Sequence, residues 1–417
     1  MSSADPYRVY GYRWVVLAVF MFVNLAIQIL WIAFAPITKE AAAFYGVSDF
    51  QVGFLAMTFM IVFIPLSIPV SWIIDTYGFR LAVGIGVVLM GIFGVLRGLA
   101  GTSYTLVFIS TIGLAVAQPF MMNAWTKVPA LWFDHKERAT AVGLVTLSSL
   151  IGIALGMVLT PVLFSAQFSI ATIQMIYGSL AAFSAVLFLI FARETPPTPP
   201  CPDGMEVRAL MLDGLKHALV VRDFWFYLFV YFIGMGIFNG INTWVENIIR
   251  PRGFTATDAG VLGAVMMFGG LLGAVALPPF SDRLRKRKDF ILWGIILSIP
   301  GLFGVTFAAN YWVLMTSAFF LGFFLISTGP IGMQYAAEIT YPTPEGTSNG
   351  LIQLFGQASV IFVYIMQALQ DPSGAFTPGL LFSVGLLLAL VILVMQLKDP
   401  KRVPEINQIK NAPMDIG

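Results

Sequence analysis

The chain has 417 residues, of which 58% are hydrophobic, 14% aromatic and 11% charged. A water-soluble domain carries about 25% charged residues, so this composition excludes that class of protein. The 23 Lys and Arg nearly balance the 21 Asp and Glu, which leaves no strong positive field for nucleic acid. The single cysteine, Cys201, excludes an internal disulfide and a cysteine-based zinc cluster.

Twelve apolar segments follow one another along the chain, and each has the roughly 20 residues that a helix needs to cross a bilayer. We therefore predict an all-α membrane protein with twelve transmembrane helices. The N-terminus has no basic start and no small-residue cleavage site, so we expect the first segment to be retained. The predicted spans, numbered 1 to 12, are 13–37, 51–73, 81–100, 104–130, 139–165, 171–192, 224–246, 258–279, 289–307, 312–336, 347–369 and 378–396.

Small residues and prolines recur within these spans. Stripes of glycine in spans 3 and 8 predict close approach of helix backbones. These glycines are Gly84, Gly86, Gly91, Gly94, Gly260, Gly263, Gly269, Gly270 and Gly273. Prolines within the spans are expected to interrupt their helices. They are Pro36, Pro65, Pro69, Pro119, Pro161, Pro300 and Pro330.

The longest connection joins spans 6 and 7. It begins with the Pro-rich segment ETPPTPPCPDG and continues with MEVRALMLDGLKHALVVRD, residues 205–223, which could form a short amphipathic helix. The predicted organisation is an N-terminal six-helix bundle at 1–193, a cytoplasmic linker at 194–223, a C-terminal six-helix bundle at 224–397 and a cytoplasmic tail at 398–417.

The distribution of basic residues predicts the orientation. With both termini inside the cell, eighteen of the 23 Lys and Arg fall on cytoplasmic segments. Four fall outside, and Lys127 lies within span 4 near its inner end; the four are Lys39, Arg97, Arg250 and Arg252. Because short cytoplasmic loops carry the excess of Lys and Arg, both termini are predicted to be cytoplasmic, in the cell (inner) membrane.

The two halves of the chain repeat each other. SWIIDTYGFR follows span 2 and PPFSDRLRKRK follows span 8, and their aspartates, Asp75 and Asp282, are 207 residues apart. WFDHKERATAVGL follows span 4 and EITYPTPEGTSNGL follows span 10, and Gly143 and Gly350 have the same separation. Two coincident offsets indicate an internal duplication.

In the loop that follows span 2, the sequence resembles the major facilitator superfamily, whose signature between helices two and three reads G-x-x-x-D-[RK]-x-G-[RK]-[RK]. Asp75, Gly78 and Arg80 match it, whereas Ser71 and Thr76 depart from it. The resemblance implies two pseudo-symmetric six-helix bundles that rock around a mid-membrane site, with spans 1, 4, 7 and 10 lining the cavity. It also implies a monomer.

The same resemblance implies a cytoplasmic gate between the halves. A carboxylate at the start of a helix from the other half would meet unpaired N–H groups and the positive end of the helix dipole. Each such contact contributes about 0.3–1 kcal/mol, so several can hold a face shut and still release it. The predicted gate residues are Asp75, Arg80, Lys136, Glu137, Arg138, Asp282, Arg283 and Glu345.

A second resemblance lies in the amino-acid sequences of several short segments. FYGV, LSIPVSWIIDTYGFR, VPALWFDHKERATA and AAEITYPTPEGTSNG are similar to the branch that contains the feline leukaemia virus subgroup C receptor-related transporters. That branch is associated with transport of choline and ethanolamine, with haem export, and in one relative with a pyridoxine-like vitamin. The resemblance implies a small organic solute as substrate.

Charged residues are almost missing from the middle of the spans, where neutral amides and aromatic rings stand instead. Such a cavity suits a small organic cation held by cation–π contact, or a neutral polar solute. For any isolated Asn or Gln, hydrogen bonding between helices is an equal alternative. The candidate substrate-binding residues are Trp31, Gln28, Gln118, Asn239 and Gln357.

Only part of the choline site that the resemblance implies is present. Trp31 matches the tryptophan of helix one and Gln357 a glutamine of helix eleven. The helix-five glutamine is replaced by Leu150 and the helix-seven tyrosine by Asn239. Another small amine, a vitamin or a metabolite therefore stays open as the substrate. Haem is disfavoured because the chain's two histidines both fall on cytoplasmic loops.

The energy source is also open. Glu246 and Glu338 are possible coupling residues for a proton-driven carrier, although Glu338 is expected to pair with loop cations. We predict facilitated transport, with two alternatives: a proton-coupled carrier of a neutral metabolite or vitamin, and a non-transporting sensor or receptor on the same fold.

An enzyme is disfavoured, because no H-E-x-x-H motif and no His-bearing site within the spans could activate water. We predict no cofactor and no metal. The expected partners are the small-molecule substrate and the lipid bilayer.

Overall fold

The computed structural model describes residues 8–200, 212–341, 343 and 345–398, without the side chains of residues 135, 136, 139, 212–215 and 345–347. All regular secondary structure in these ranges is helical, and 12 helices are long and apolar enough to cross a membrane. The predicted fold class is confirmed. The spans are Arg13–Tyr45, Asp49–Tyr77, Phe79–Leu99, Tyr104–Trp132, Thr140–Ser165, Ile170–Phe191, Arg222–Thr243, Ala256–Leu284, Arg287–Phe307, Tyr311–Ile339, Ser348–Ala368 and Thr377–Met395.

Several spans are broken into shorter helices. Span 1 consists of Arg13–Ile32, a 3-10 turn at Ala35–Ile37 and Thr38–Tyr45, and span 4 of Tyr104–Met122 and Lys127–Trp132. The helix that contains span 5 is His135–Ser165, which begins five residues before the span. Span 7 is followed by helix Val245–Ile249 and a 3-10 turn at Arg250–Arg252, and span 11 consists of Glu345–Ala358 and Val360–Ala368.

Most of the prolines do not interrupt their helices, so that expectation is wrong for them. Pro65, Pro69, Pro161, Pro300 and Pro330 all lie inside continuous helices. Neighbouring helices and side chains can satisfy the backbone groups that a proline frees inside a membrane protein. Pro36 does lie in a break, the 3-10 turn Ala35–Ile37, whereas Pro119 lies inside helix Tyr104–Met122. The other breaks in spans 4 and 11 fall at residues 123–126 and 359.

Short connections make consecutive spans alternate in direction. We call the face where span 1 begins the near face, and the face where span 1 ends the far face. Odd-numbered spans run from the near face to the far face. The long connection between spans 6 and 7 lies at the near face.

The 207-residue repeat reappears in the backbone. Ser48 and Thr255 each cap a helix with a complete capping box, in which the third helical residue bonds back to the cap. Other equivalent positions also end or begin helices in the same way. Pairs with positive φ are Gly46 with Gly253 and Gly78 with Arg285, and a further pair of caps is Ser103 with Asn310. The duplication inferred from two loops therefore extends through the helix ends.

Within the linker, a helix spans Leu212–Val220, inside the segment where the sequence suggested one. Residues 201–211, which include Cys201, and residues 399–417 lie outside the described part of the chain. Residues just before this gap pack on the first half, where the Tyr10 hydroxyl and Thr198 Oγ1 are 3.0 Å apart. The division into two bundles, a linker and a tail stays a prediction.

Candidate functional site

One hydrogen bond sets the register of spans 1 and 4. Trp125 Nε1 donates to Asn24 Oδ1 at 2.6 Å. These spans run in opposite directions, so Trp31, seven residues after Asn24, and Gln118, seven residues before Trp125, both lie on the far-face side of this contact. In the continuous helix Arg13–Ile32, seven residues are about two turns, so Trp31 lies about 10 Å from Asn24 and near the same helical face. Gln28 lies one turn after Asn24 on that face.

The side chains of this layer from the first half are buried but not fully satisfied. Trp31 is 8% exposed and its indole N–H donates to the carbonyl oxygen of Ala56 in span 2 at 3.2 Å. The amide oxygens of Gln28 and Gln118 are buried and accept no hydrogen bond from the described part of the chain. Leaving a buried acceptor unpaired costs about 1–3 kcal/mol. A ligand that carries donors would remove that cost.

The second half reaches the same layer through span 11. Gln357 Nε2 lies 4.0 Å from the sulfur of Met122 in span 4, across the boundary between the halves. Two residues farther on, Ser359 marks the break in span 11, and Asn239 Nδ2 donates to its hydroxyl at 3.3 Å. The contacts thus bring Gln357 and Asn239 to the level of the span 1 and span 4 residues. Their role in binding stays a prediction.

A polar network joins the halves at the far face. Arg250 donates to the carboxylates of Asp49 at 2.7 Å and Glu246 at 3.2 Å. Asn247 Nδ2 also donates to Asp49 at 2.7 Å, and the backbone N–H of Lys39 donates to Glu246 at 3.3 Å. Asp49 and Lys39 belong to the first half and the other three residues to the second. The far face is therefore closed by contacts between the halves.

Glu246 is the titratable centre of this network and lies beyond the end of span 7. Burial raises the pKa of Glu246 to about 7, although the positive charge of Arg250 opposes the shift. The nearby carboxylates of Glu40 and Asp49 contribute to this rise. A carboxyl with this pKa changes its charge near neutral pH. The sequence indicated Glu246 as a possible residue for proton coupling, and in the structure it lies in the contact between the halves at the far face.

Two glycines allow this closure. A Cβ on Gly53 in span 2 would clash with the buried indole of Trp244, and a Cβ on Gly260 in span 8 would clash with the backbone oxygen of Met157 in span 5. Gly53 and Gly260 are themselves 207 residues apart, so the repeat places one in each half. Of the other glycines of the span 8 stripe, Gly263 also faces Met157 in span 5, whereas Gly269, Gly270 and Gly273 pack against span 10.

Sequence reasoning missed Asp49, Asn247, Arg250, Trp244 and Gly53 as a group. These residues lie at or near the ends of spans and belong to no sequence motif. The two halves to which they belong meet only in the folded molecule. The shared offset of Gly53 and Gly260 was the one signal that could have indicated them.

The near face holds the predicted gate residues, and the ion pairs described there each lie within one half. Lys127 Nζ lies 3.3 Å from Asp75, and Arg13 lies 3.0 Å from Glu137. In the second half Arg287 contacts both Asp282 and Glu338, the latter at 3.0 Å. Glu338 therefore pairs with a cation at the near face.

The other predicted gate residues are placed as follows. Arg138 donates to the backbone oxygens of Ala130 at 2.8 Å and Phe133 at 3.2 Å. The side chains of Arg80 and Arg283 are exposed. Those of Lys136 and Glu345 lie outside the described side chains. A gate that joins the halves at this face stays a prediction.

A carboxylate does sit at the start of span 3, but it comes from the same half. Glu194, just after span 6, accepts hydrogen bonds from the backbone N–H groups of Phe79 at 2.9 Å and Arg80 at 2.7 Å. This satisfies two of the unpaired donors at the helix start and complements its dipole. Sequence reasoning missed Glu194, which follows directly on the predicted N-terminal bundle.

Comparison with known proteins gives concordant results. The family model described as Major Facilitator Superfamily matches residues 16–278 and 247–414. The chain is 29% identical over 397 residues to solute carrier family 49 member A3 of Xenopus tropicalis, covering 91% of this chain and 82% of that protein. It is 28% identical over 389 residues to the choline/ethanolamine transporter FLVCR2 of Homo sapiens, covering 89% and 74%.

A solved structure with the same fold is that of a bacterial homologue of the human lysosomal transporter Spinster, described as inward-facing and unoccupied. It superposes with a TM-score of 0.69 at 15% identity and covers 93% of this chain and 96% of that one. At this identity the likeness concerns the fold.

Proposed function

The chain belongs to the major facilitator superfamily, in the branch with the FLVCR-like transporters, and we propose that it carries a small amine cation across the cell membrane by alternating access. It is a membrane transporter rather than an enzyme. The observation that carries the proposal is a set of buried side chains without charge: the ring of Trp31, and the amide oxygens of Gln28 and Gln118, which accept no hydrogen bond from the described part of the chain.

The chemistry of this layer favours an amino alcohol. The face of an indole attracts an ammonium group, by about 0.5–2 kcal/mol depending on desolvation. The amide oxygens of Gln28 and Gln118 accept no hydrogen bond from the described residues, and a hydroxyl or a primary ammonium group can donate to them. A primary amine has more donors than a quaternary one, so it satisfies both oxygens. The human relative is named a choline/ethanolamine transporter, and both molecules belong to this class.

We assign the near face to the cytoplasm, because it carries most of the basic residues. Both termini are then cytoplasmic, and the closed far face points outward. The described conformation is one in which the solute cannot reach the layer from outside. Transport requires the far-face network to separate and a near-face gate to close in its place.

The first test is uptake of radiolabelled ethanolamine and choline into liposomes that contain the purified protein. We expect saturable uptake, its loss in Trp31→Ala, and its retention in Trp312→Ala, which removes a tryptophan that is 74% exposed on the outer surface of span 10. Melting of each variant, measured in parallel, confirms folding. Uptake by Trp31→Ala with an unchanged half-saturation would overturn the amine site, and no flux of any solute would favour a sensor.

A second candidate function is a proton-coupled carrier of a neutral metabolite or vitamin, and the pKa of Glu246 near 7 favours it. The two candidates differ in their response to a pH gradient. Facilitated transport of an amine ends at equal solute concentrations on both sides at zero membrane potential. A proton-coupled carrier instead uses the pH gradient to accumulate its solute against the solute's own concentration gradient. Glu246→Gln removes that accumulation in the second case.

A further inference from the structure

Arg97, in span 3, is a buried cation that the proposed transport mechanism does not use. Its side chain is 1% exposed. One guanidinium nitrogen donates to the carbonyl oxygen of Leu30 at 2.8 Å, and the group lies 5.1 Å from the centre of the Phe34 ring. Its Nε makes no hydrogen bond within the described part of the chain. None of the ion pairs between described residues includes Arg97.

These contacts offset only part of the cost of burying a charge. The Leu30 oxygen belongs to the last turn of helix Arg13–Ile32, where unpaired carbonyl groups carry a partial negative charge. A ring face adds a weak attraction. A charged group inside a membrane protein is normally paired with an opposite charge, because desolvation without one costs several kcal/mol. Full neutralisation of Arg97 requires an anion.

The surroundings of Arg97 offer further hydrogen-bond donors. The hydroxyls of Tyr45 and Tyr177 are close enough to interact electrostatically with the guanidinium. The Tyr45 hydroxyl is buried and makes no hydrogen bond to any described residue. The Tyr177 hydroxyl lies 2.9 Å from Thr160 Oγ1. Because one of these hydroxyls is uncommitted, it can donate to a ligand that accepts.

Gln174, in span 6, lies on the same helical face as Tyr177, three residues away. Spans 3 and 6 touch at this level, since a Cβ on Gly98 would meet the backbone of Met175. Gln174 is 0% exposed, and neither its oxygen nor its nitrogen forms a hydrogen bond within the described residues. Its NH₂ group is therefore a second uncommitted donor on the face that carries Tyr177.

We propose that Arg97, Tyr45 and Gln174 form a binding site for a small monovalent anion, of which chloride is the physiological example. A halide supplies the missing negative charge and accepts hydrogen bonds from N–H and O–H groups without needing a donor in return. Close packing of spans 3 and 6 through glycine disfavours a bulky polyatomic anion. The bound anion fixes Arg97 against Leu30, and so holds the end of the helix that carries Trp31.

The test is thermal unfolding of the full-length purified protein in sodium chloride and in sodium gluconate at equal ionic strength. We expect a saturable rise in Tm with chloride or bromide and none with gluconate. Arg97→Gln abolishes that rise. Gln174→Leu keeps the charge of Arg97 but weakens chloride binding. We expect it to raise the half-saturating chloride concentration by about tenfold, the effect of losing one hydrogen bond to a charged group.

The matched control is Arg252→Gln. Arg252 also donates to backbone oxygens, of Ala308 at 2.9 Å and Ile248 at 3.4 Å, but its side chain is only partly buried at the far face. This variant keeps the chloride response. Equal Tm in chloride and gluconate, or a full response in both Arg97→Gln and Gln174→Leu, overturns the proposal. No substrate is needed, so the result is independent of the transport assay.

Discussion

At the scale of residues, Trp31 has two properties that bear on the proposed amine site, and its replacement by alanine removes both. Its indole N–H donates to the Ala56 carbonyl oxygen, and its ring offers a face to which a cation can bind. The first contact positions the ring and the second feature is the one that a cation would use. Substitutions that keep one property and remove the other distinguish positioning from recognition.

We expect Trp31→Phe to retain amine uptake with a half-saturation raised a few-fold, because the ring is kept and the hydrogen bond to Ala56 is lost. Trp31→Leu should raise it by about 2–30-fold, the range that a cation–π contribution of about 0.5–2 kcal/mol predicts. Half-saturation for ethanolamine in liposomes is the measurement. Equal values for Phe and Leu at this position would show that the ring face does not contact the solute.

Glu246 makes the far-face contact sensitive to pH. Burial between the halves raises its pKa to about 7, whereas a solvated glutamate titrates near 4.3. The closed far face therefore holds the proton more tightly than an open one does. Lowering the pH through about 7 stabilises the closed state relative to the open state, and raising the pH through the same value removes that contribution.

We expect a pair of spin labels at Ala43→Cys and Pro251→Cys, in a Cys201→Ser background, to report this equilibrium. Both positions are exposed at the far face, one in each half. The population with the short distance should rise between pH 8 and pH 6. In Glu246→Gln it should be independent of pH over this range. A pH response that persists in the Gln variant would assign the titration to another group.

At the scale of elements, the repeat conserves how helices begin and end. Equivalent residues cap helices in both halves even where the residue types differ, as with Ser103 and Asn310. Gly78 and Arg285 both end a span with positive φ, but only Gly78 has a backbone conformation, φ 88° and ψ 161°, that is nearly restricted to glycine. Gly78 also leaves room for Glu194 to reach the start of span 3.

Gly78→Ala should therefore destabilise the protein by about 1–3 kcal/mol, from backbone strain and from displacement of Glu194. Gly143→Ala is the matched control, because a Cβ at this helical position meets nothing within 4 Å. The control should retain or slightly increase stability, since alanine is the better helix former. The measurement is Tm in detergent. A Tm for Gly78→Ala equal to that of the unsubstituted protein would refute the strain.

At the scale of the whole molecule, the far face closes because helices of opposite halves approach through glycine. Span 8 meets span 5 at Gly260, and span 2 admits Trp244 at Gly53. The ion pair between Arg250 and Asp49 then bridges the same boundary. Because a single ion pair at a surface is weak, helix packing determines how closely the halves approach, and the ion pair helps to orient them.

We expect Gly260→Leu to hold the halves apart at the far face without unfolding either one. Uptake should fall below about a tenth of the normal rate, since a barrier of about 1.4 kcal/mol suffices for a tenfold loss. The spin labels at the far face should move to the longer distance. Gly329→Leu, at a position where a Cβ has nothing within 4 Å, is the control and should keep the short distance. Normal uptake in Gly260→Leu would contradict the closure.

The fold followed from the sequence because hydrophobic length is a local property. Each span needed only its own run of apolar residues, and the repeat needed only the equal separation of Asp75 and Asp282. The prediction about prolines failed for most of them, because neighbouring helices, which a sequence pattern does not show, can satisfy the backbone groups that proline frees.

The sequence alone determined the twelve spans, the duplication and the family. The tertiary structure decided which distant residues meet. Asp49 and Arg250 are 201 residues apart in the chain, and Arg97 meets Leu30 across 67. Burial and pairing depend on every element packed around a group, so the position of Glu246 in a contact between halves, and the missing counter-charge of Arg97 among the described residues, could be recognised only in the folded chain.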